Sequence, residues 1–395
     1  MQLKKMIKRS AIGLLGAAVV GSIAVYAVAA KKKPPILPPA AEAKPYKWNR
    51  VELDGNVLSS DGSEYHLLTK KGENRNWIFF FSGGGASWDE TSASYPIKVM
   101  NVIKGQDAGN YFANIPFYLL TILGGIMAPN NPDNPFREWN VVYIPYSTGD
   151  FHIGQRTTEY KKQDGSSFIM HYNGRSNVQS SLEWIYAHVD KPEKLLIAGE
   201  SAGGFGSAFW AGEIASHYKE AEIYQYSDSS YLYSEKWPDI VDKEWQSDFE
   251  RTFGYQAEAD LIGSAFKGNQ RQLPENAVLL QSYSLYDEVL IHFQRKINDF
   301  EGPADPQIIA DWSHQMREST KKLAASLPNY YYFLTDYGLN AKTGTTSHTF
   351  ATRDDFYKAE EDGVKLMNWL DDIINKQKRY SIGKKFLSER DPKQG

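Results

Sequence analysis

The chain has 395 residues, long enough for one large catalytic domain with a sizeable core. Lys+Arg 44 against Asp+Glu 48 gives a net charge of −4, and no block of like charge stands outside the N-terminus, so the basic field that nucleic acid requires is missing. There is no cysteine, which excludes disulfides, cysteine nucleophiles and thiolate metal sites. An aromatic content of 14%, with Tyr 25 against Phe 19, points to wet, amphipathic surfaces such as sugar-binding or interfacial ones.

In chain order, Lys4, Lys5, Lys8 and Arg9 precede an unbroken apolar run at 11–30. As a helix such a run spans roughly 30 Å, enough to cross a bilayer core. Residues 1–30 are therefore expected to be an export signal or, preferred here, an uncleaved signal-anchor helix. Ala27, Val28 and Ala29 nevertheless offer an A-x-A cleavage site. The basic flank should stay inside and the rest should cross, which predicts an exported domain on the periplasmic or extracellular side. Residues 31–45 are rich in proline and alanine and form a semi-rigid linker. The folded domain is expected over 46–395.

Continuous apolar runs at 77–82 (WIFFFS), 141–146 (VVYIPY), 194–199 (KLLIAG), 221–226, 277–282 and 330–334 have the pattern of strands buried on both faces of a parallel sheet. Helical periodicity falls between them at 176–189, 204–218, 285–300, 306–327 and 353–377. The alternation predicts an α/β fold, α/β-hydrolase-like, with a mostly parallel sheet and helices on both faces. An insertion at 101–138 carries the apolar stretch IPFYLLTILGGIM at 115–127, too short to span a bilayer. It is either a helix buried over the sheet or a lid over an acyl pocket.

Gly199, Glu200, Ser201, Ala202 and Gly203 match G-x-S-x-G between the strand KLLIAG and a helix. The glycines permit the sharp turn that leaves a nucleophilic serine exposed, and the alternative is a structural turn whose serine caps the helix. Gly83, Gly84 and Gly85 directly follow WIFFFS, as an oxyanion loop would. The Gly84 and Gly85 amides, with that of Ala202, are the expected donors. In this fold the acid and then the histidine follow the serine. Of His217, His292, His314 and His348, the first three fall inside predicted helices. His348 lies in a polar loop after the last strand and is the expected base. Asp287, just past the strand at 277–282, is the expected acid, with Asp228 as main competitor and Asp336 third. No cofactor or metal is expected, since no H-E-x-x-H or cysteine-based zinc motif is present.

Together these segments resemble the pectinacetylesterase family: Ser82 through Gly85, WNVVYIPYSTGDFHIG at 139–154, HYNGRSNVQSSLEWI at 171–185, Gly199 through Gly204, Ser284 through Glu288, and Ser347, His348 and Thr349. The resemblance implies an α/β-hydrolase-like fold and deacetylation of an esterified polysaccharide, with Ser201 as nucleophile, and it places the acid and histidine on Asp287 and His348. Family members often carry an aromatic residue and then cysteine where Ala86 and Ser87 stand, and cysteine at Ser147. This chain thus resembles one that has lost a disulfide as a pair, and Ser87 and Ser147 are expected to be neighbours. The absent aromatic at Ala86 bears on substrate preference. The leading expectation is a serine esterase removing acetyl groups from a polysaccharide. A lipid deacylase or general carboxylesterase is the second reading, and a carbohydrate-binding protein on a decayed hydrolase fold the third. The expected partners are the acylated substrate and, through the N-terminal helix, the membrane.

Overall fold

A computed structural model describes residues 34–388 except 39–41, 99–100, 102–106, 117–118, 163, 301 and 303. The run at 11–30, for which a signal-anchor is expected, lies outside the described residues, as do residues 31–33 of the linker. Among the described residues no helix is long and apolar enough to cross a membrane.

The centre is an eight-stranded sheet. Its strands are β1 (Trp48–Glu52), β2 (His66–Lys70), β3 (Trp77–Phe81), β4 (Asn140–Ile144), β7 (Lys194–Glu200), β8 (Glu222–Asp228), β9 (Val278–Ser284) and β10 (Tyr330–Thr335). Their spatial order is β1-β2-β4-β3-β7-β8-β9-β10. From β4 to β10 neighbouring strands are parallel, whereas β1 and β2 join one edge antiparallel. A separate antiparallel hairpin pairs β5 (Arg156–Lys161) with β6 (Ser167–Tyr172).

Side chains alternate across each central strand. In β3, Phe79 and Phe81 join one apolar cluster while Ile78 and Phe80 join the other. In β7, Leu195 and Ile197 divide from Leu196 and Ala198 in the same way. Both sheet faces are therefore dry, which is why the middle of each of these strands is continuously apolar. The six central strands fall where the sequence places them. The first face is covered by α1 (Gly174–His188), α2 (Ala202–His217), α3 (Leu261–Gln272), α4 (Glu288–Ile297) and α5 (Pro306–Ser326), which contribute its buried residues. The second cluster includes Trp369 and Leu370 of α6 (Leu366–Ile374) and, from the insertion, Ile126, Met127 and Phe136.

Two expected helices differ. The helix expected at 353–377 is interrupted: a single turn at Asp355–Lys358 is followed by a short hairpin of β11 (Glu360–Glu361) and β12 (Val364–Lys365) and then by α6. Asp362 and Gly363 both have positive φ, 51° and 75°, as the Asp-Gly pair of a tight hairpin turn requires. The helix expected at 285–300 starts later, at Glu288, because the Asp287 side chain caps it. In the insertion the described residues form one helical turn at Leu119–Ile122 and a 3₁₀ turn at Gly125–Met127. Their chain bonds to the loop after β10, with Gly124 N–H donating to Thr352 O and Ile126 N–H to Ala351 O, both at 2.8 Å.

Candidate active site

The carboxyl ends of β3, β7, β8, β9 and β10 lie together along one edge of the sheet, where ligands bind in open α/β folds. From them come the glycine loop, Ser201, Asp228, Asp287 and the loop that carries His348.

Ser201 follows β7 with φ 54° and ψ −127°, a backbone region costly for any residue with a side chain. Close packing enforces the turn. A Cβ on Gly199 would stand 2.0 Å from Gly203 O, and one on Gly203 would stand 2.0 Å from Phe81 O. Ser201 N–H donates to Asp228 O at 2.8 Å, and Ser230 Oγ donates to Ser201 O at 2.9 Å. The Ser201 side chain makes no cap of α2, unlike the structural-turn alternative.

Gly83 packs on this turn: a Cβ there would come within 2.8 Å of Ser201 Cβ. Gly85 has φ +81°, and its missing side chain makes room for Asn110 O, 1.9 Å from where a Cβ would be. The loop is tied down by Phe112 N–H to Gly84 O at 3.0 Å and Ala86 N–H to Asn110 O at 2.9 Å. Ala86 is 1% exposed and belongs to the core, so its side chain does not line an open pocket. Ser87 and Ser147 are both buried but spend their hydroxyls elsewhere: Ser87 Oγ bonds Tyr172 OH, and Ser147 Oγ donates to Ser59 Oγ, each at 3.0 Å. Ser87 meets the other segment through its N–H, which donates to Gly149 O at 2.8 Å.

His348 Nδ1 lies 2.7 Å from Asp287 Oδ2. Asp287 is 1% exposed, and its Oδ1 accepts the N–H groups of Val289 and Leu290, each at 3.0 Å, as the cap of α4. The positive end of the helix favours that carboxylate. The two segments are zipped together by Thr346 N–H to Tyr286 O at 2.9 Å and Glu288 N–H to Thr346 O at 3.1 Å. A carboxylate only accepts, so Nδ1 carries the proton, and the Nε2 of the neutral ring is left with its lone pair. Nε2 is buried without a hydrogen-bond partner. Burial pushes the imidazolium down, but the Asp287 carboxylate, by charge and by hydrogen bond, outweighs it and holds His348 above its ordinary pKa.

Asp228 makes no hydrogen bond to the His348 ring, although its charge acts on the imidazole. Its Oδ2 accepts the N–H groups of Phe350 and Ala351 at 2.7 and 2.8 Å, and its Oδ1 accepts from Ser282 Oγ at 2.7 Å. It thus clamps the His348 loop at its base. Burial raises its pKa against these donors. Asp336, just past β10, forms no ion pair with any histidine among the described residues. His217 stacks on Tyr186 at 3.8 Å between centroids. His292 and His314 lie within α4 and α5.

Sequence reasoning missed three members of this region. Glu200, the variable position of the serine motif, accepts Thr352 Oγ1 at 2.8 and 3.0 Å. Its pKa is pushed up to about 7 by burial and the nearby Asp228 charge. His152 and Asp150 sit behind the glycine loop. His152 Nε2 donates to Ser82 O at 3.0 Å, and burial holds the ring neutral with a pKa of about 4. Asp150 accepts from Thr148 Oγ1 at 2.6 Å and Gly174 N–H at 2.8 Å, and burial raises its pKa to about 6. Their signal was present in the block STGDFHIG, but a search for a base downstream of the serine passes over it.

Comparison with known proteins agrees with this architecture. No curated protein matches the chain. Two crystal forms of the Wnt deacylase Notum from Drosophila are similar in fold. The first is 17% identical over 84% of this chain and 94% of that one, with a TM-score of 0.57. The second is 16% identical over the same shares, with a TM-score of 0.55. The pectinacetylesterase model matches residues 42–279, more than half of the chain, including the glycine loop and Ser201 but ending before Asp287 and His348. The chain belongs to the pectinacetylesterase family and is a carboxylic ester hydrolase.

Proposed function

We propose that the protein cleaves acetyl esters on a polysaccharide through an acyl-enzyme on Ser201. In this reading His348 Nε2 takes the Ser201 proton as the hydroxyl attacks the ester carbonyl, and later returns it to the departing alkoxide. Asp287 fixes the tautomer and stabilises the imidazolium without accepting the proton. The amides of Gly84, Gly85 and Ala202 donate to the oxyanion. No cofactor or metal enters this scheme. The observation that carries the reading is His348 itself, with Nδ1 held by Asp287 and Nε2 buried and unpaired.

The acetyl and polysaccharide parts rest on the family, and the sequence also admits a longer acyl group. Turnover of p-nitrophenyl acetate, butyrate and palmitate separates the two. Acetate preferred over palmitate, with acetate released from an acetylated glycan, supports the reading. Palmitate preferred over acetate makes the enzyme a lipid deacylase. The basic flank and apolar run at 11–30 are the grounds for placing the domain on the outer side of a membrane, and carbonate extraction of cell membranes tests that placement.

A further inference from the structure

Three consecutive carbonyls at the glycine loop are each held by a donor. Ser82 O accepts His152 Nε2–H at 3.0 Å, Gly83 O accepts the Ser82 hydroxyl at 3.1 Å, and Gly84 O accepts Phe112 N–H at 3.0 Å. A trans peptide is planar and its N–H points opposite to its carbonyl. Each held oxygen therefore also sets the direction of the next residue's amide. The amides set in this way are those of Gly83, Gly84 and Gly85, and none of them donates to an acceptor among the described residues. Two of the three donors are side chains. The Ser82 hydroxyl accepts Tyr146 N–H at 3.1 Å, which turns its own proton toward Gly83 O. His152 is buried, and its ring sits between this loop and α2. A Cβ on Gly206 of α2 would stand 2.6 Å from His152 Cδ2, and Trp210 Nε1 of α2 donates to His152 O at 3.0 Å.

We infer that His152 and Ser82 are positioning residues of the oxyanion hole, aiming the Gly84 and Gly85 amides at the carbonyl that Ser201 attacks; the inference rests on the acyl-enzyme reading above. Three glycines in a row leave peptide planes free to turn, whereas an oxyanion hole works only when its donors are already aimed. Ser82 fixes the plane that carries Gly84 N–H. His152 fixes the plane before it and acts through Ser82. Because His152 also packs on α2, whose first residue is Ala202, it sets the two halves of the hole relative to each other. Burial keeps the ring neutral, and its one proton lies on Nε2 because a carbonyl only accepts.

The test compares full-length His152→Phe, His152→Gln and Ser82→Ala with the parent. The readouts are p-nitrophenyl acetate turnover and inhibition by an aryl trifluoromethyl ketone, whose adduct with a serine carries the oxyanion. His152→Phe should lower kcat roughly 10–100-fold, less than deletion of an oxyanion donor, because the amides remain but are poorly aimed. KM should stay within about twofold, since the loss falls on the transition state. Glutamine, whose Nε2–H can reach Ser82 O, should restore most of the rate. Ser82→Ala should lower kcat about tenfold, and it carries the test if His152→Phe does not fold. In each variant the ketone should weaken by the factor that kcat/KM loses. The inference is overturned if the folded variants turn over like the parent, if the loss lies in KM, if glutamine is no better than phenylalanine, or if the ketone binds unchanged while kcat falls. Ser201→Ala separates the two levels. An inactive Ser201→Ala beside parental His152 and Ser82 variants overturns this inference alone, whereas turnover retained in Ser201→Ala overturns the acyl-enzyme reading and this inference with it.

Discussion

Asp287 binds His348 and caps α4 with the same carboxylate: Oδ2 meets the imidazole Nδ1 at 2.7 Å while Oδ1 accepts the amides of Val289 and Leu290. The Asp287 carboxylate is therefore fixed by the fold, and the histidine inherits its orientation from a helix terminus. Asparagine also caps helices well, so the two roles separate by substitution. Asp287→Asn should lower kcat roughly 10⁴-fold, because the amide favours the wrong tautomer, with little loss of stability. Asp287→Ala should lose the cap as well, about 1 kcal/mol. Kinetics and denaturant unfolding of the two variants check both parts.

Ser201→Ala and His348→Ala should each lower kcat by roughly 10⁴–10⁶-fold, since nucleophile and base act as a unit. Circular dichroism should show both folded. Near-parental turnover in either variant contradicts the assignment.

The pH profile follows from His348. In the proposed mechanism His348 works as a base only when neutral, and Asp287 holds its pKa above the ordinary 6.5. The acidic limb of kcat/KM is expected above that value and should move down in Asp287→Asn. A limb that stays in place in the variant means that another group is titrating.

Glu200 predicts a stability effect of opposite sense to an ordinary ion pair. Its folded pKa is raised from 4.5 to about 7, so the folded state holds the proton more tightly than the unfolded one. The contribution is fully present below 4.5 and is lost as pH rises through about 7. Glu200→Gln keeps an acceptor for Thr352 and removes the titration. Its unfolding midpoint should therefore gain on the parent more at about pH 8 than at about pH 5, and an offset equal at both pH values contradicts this.

Asp228 tests whether the histidine loop needs its clamp. Asp228→Ala leaves the buried amides of Phe350 and Ala351 without an acceptor, at a cost of about 1–3 kcal/mol each. Both stability and kcat should fall, the latter less than in His348→Ala.

The central strands were legible because each is apolar on both faces, and the chain order of serine, acid and histidine pointed to the Asp287 and His348 pairing that the structure contains. The edge strands and the β5–β6 hairpin were not, since exposed positions such as Thr157 and Glu159 break the apolar run. Asp-Gly pairs at 164–165 and 362–363 marked both unread hairpins, the second inside an assumed helix. His152 and Glu200 escaped because a buried polar residue has no periodic signature. Only the fold reveals that His152 braces Ser82 and that Glu200 holds Thr352.

The most direct test is to quench the enzyme in acid during turnover of p-nitrophenyl acetate and map its peptides by mass spectrometry. The account predicts one added acetyl group on the peptide containing Ser201, accumulating in His348→Ala less than in the parent. An acetyl group on another residue, or rapid turnover with none trapped on Ser201 under any quench, contradicts an acyl-enzyme at this serine.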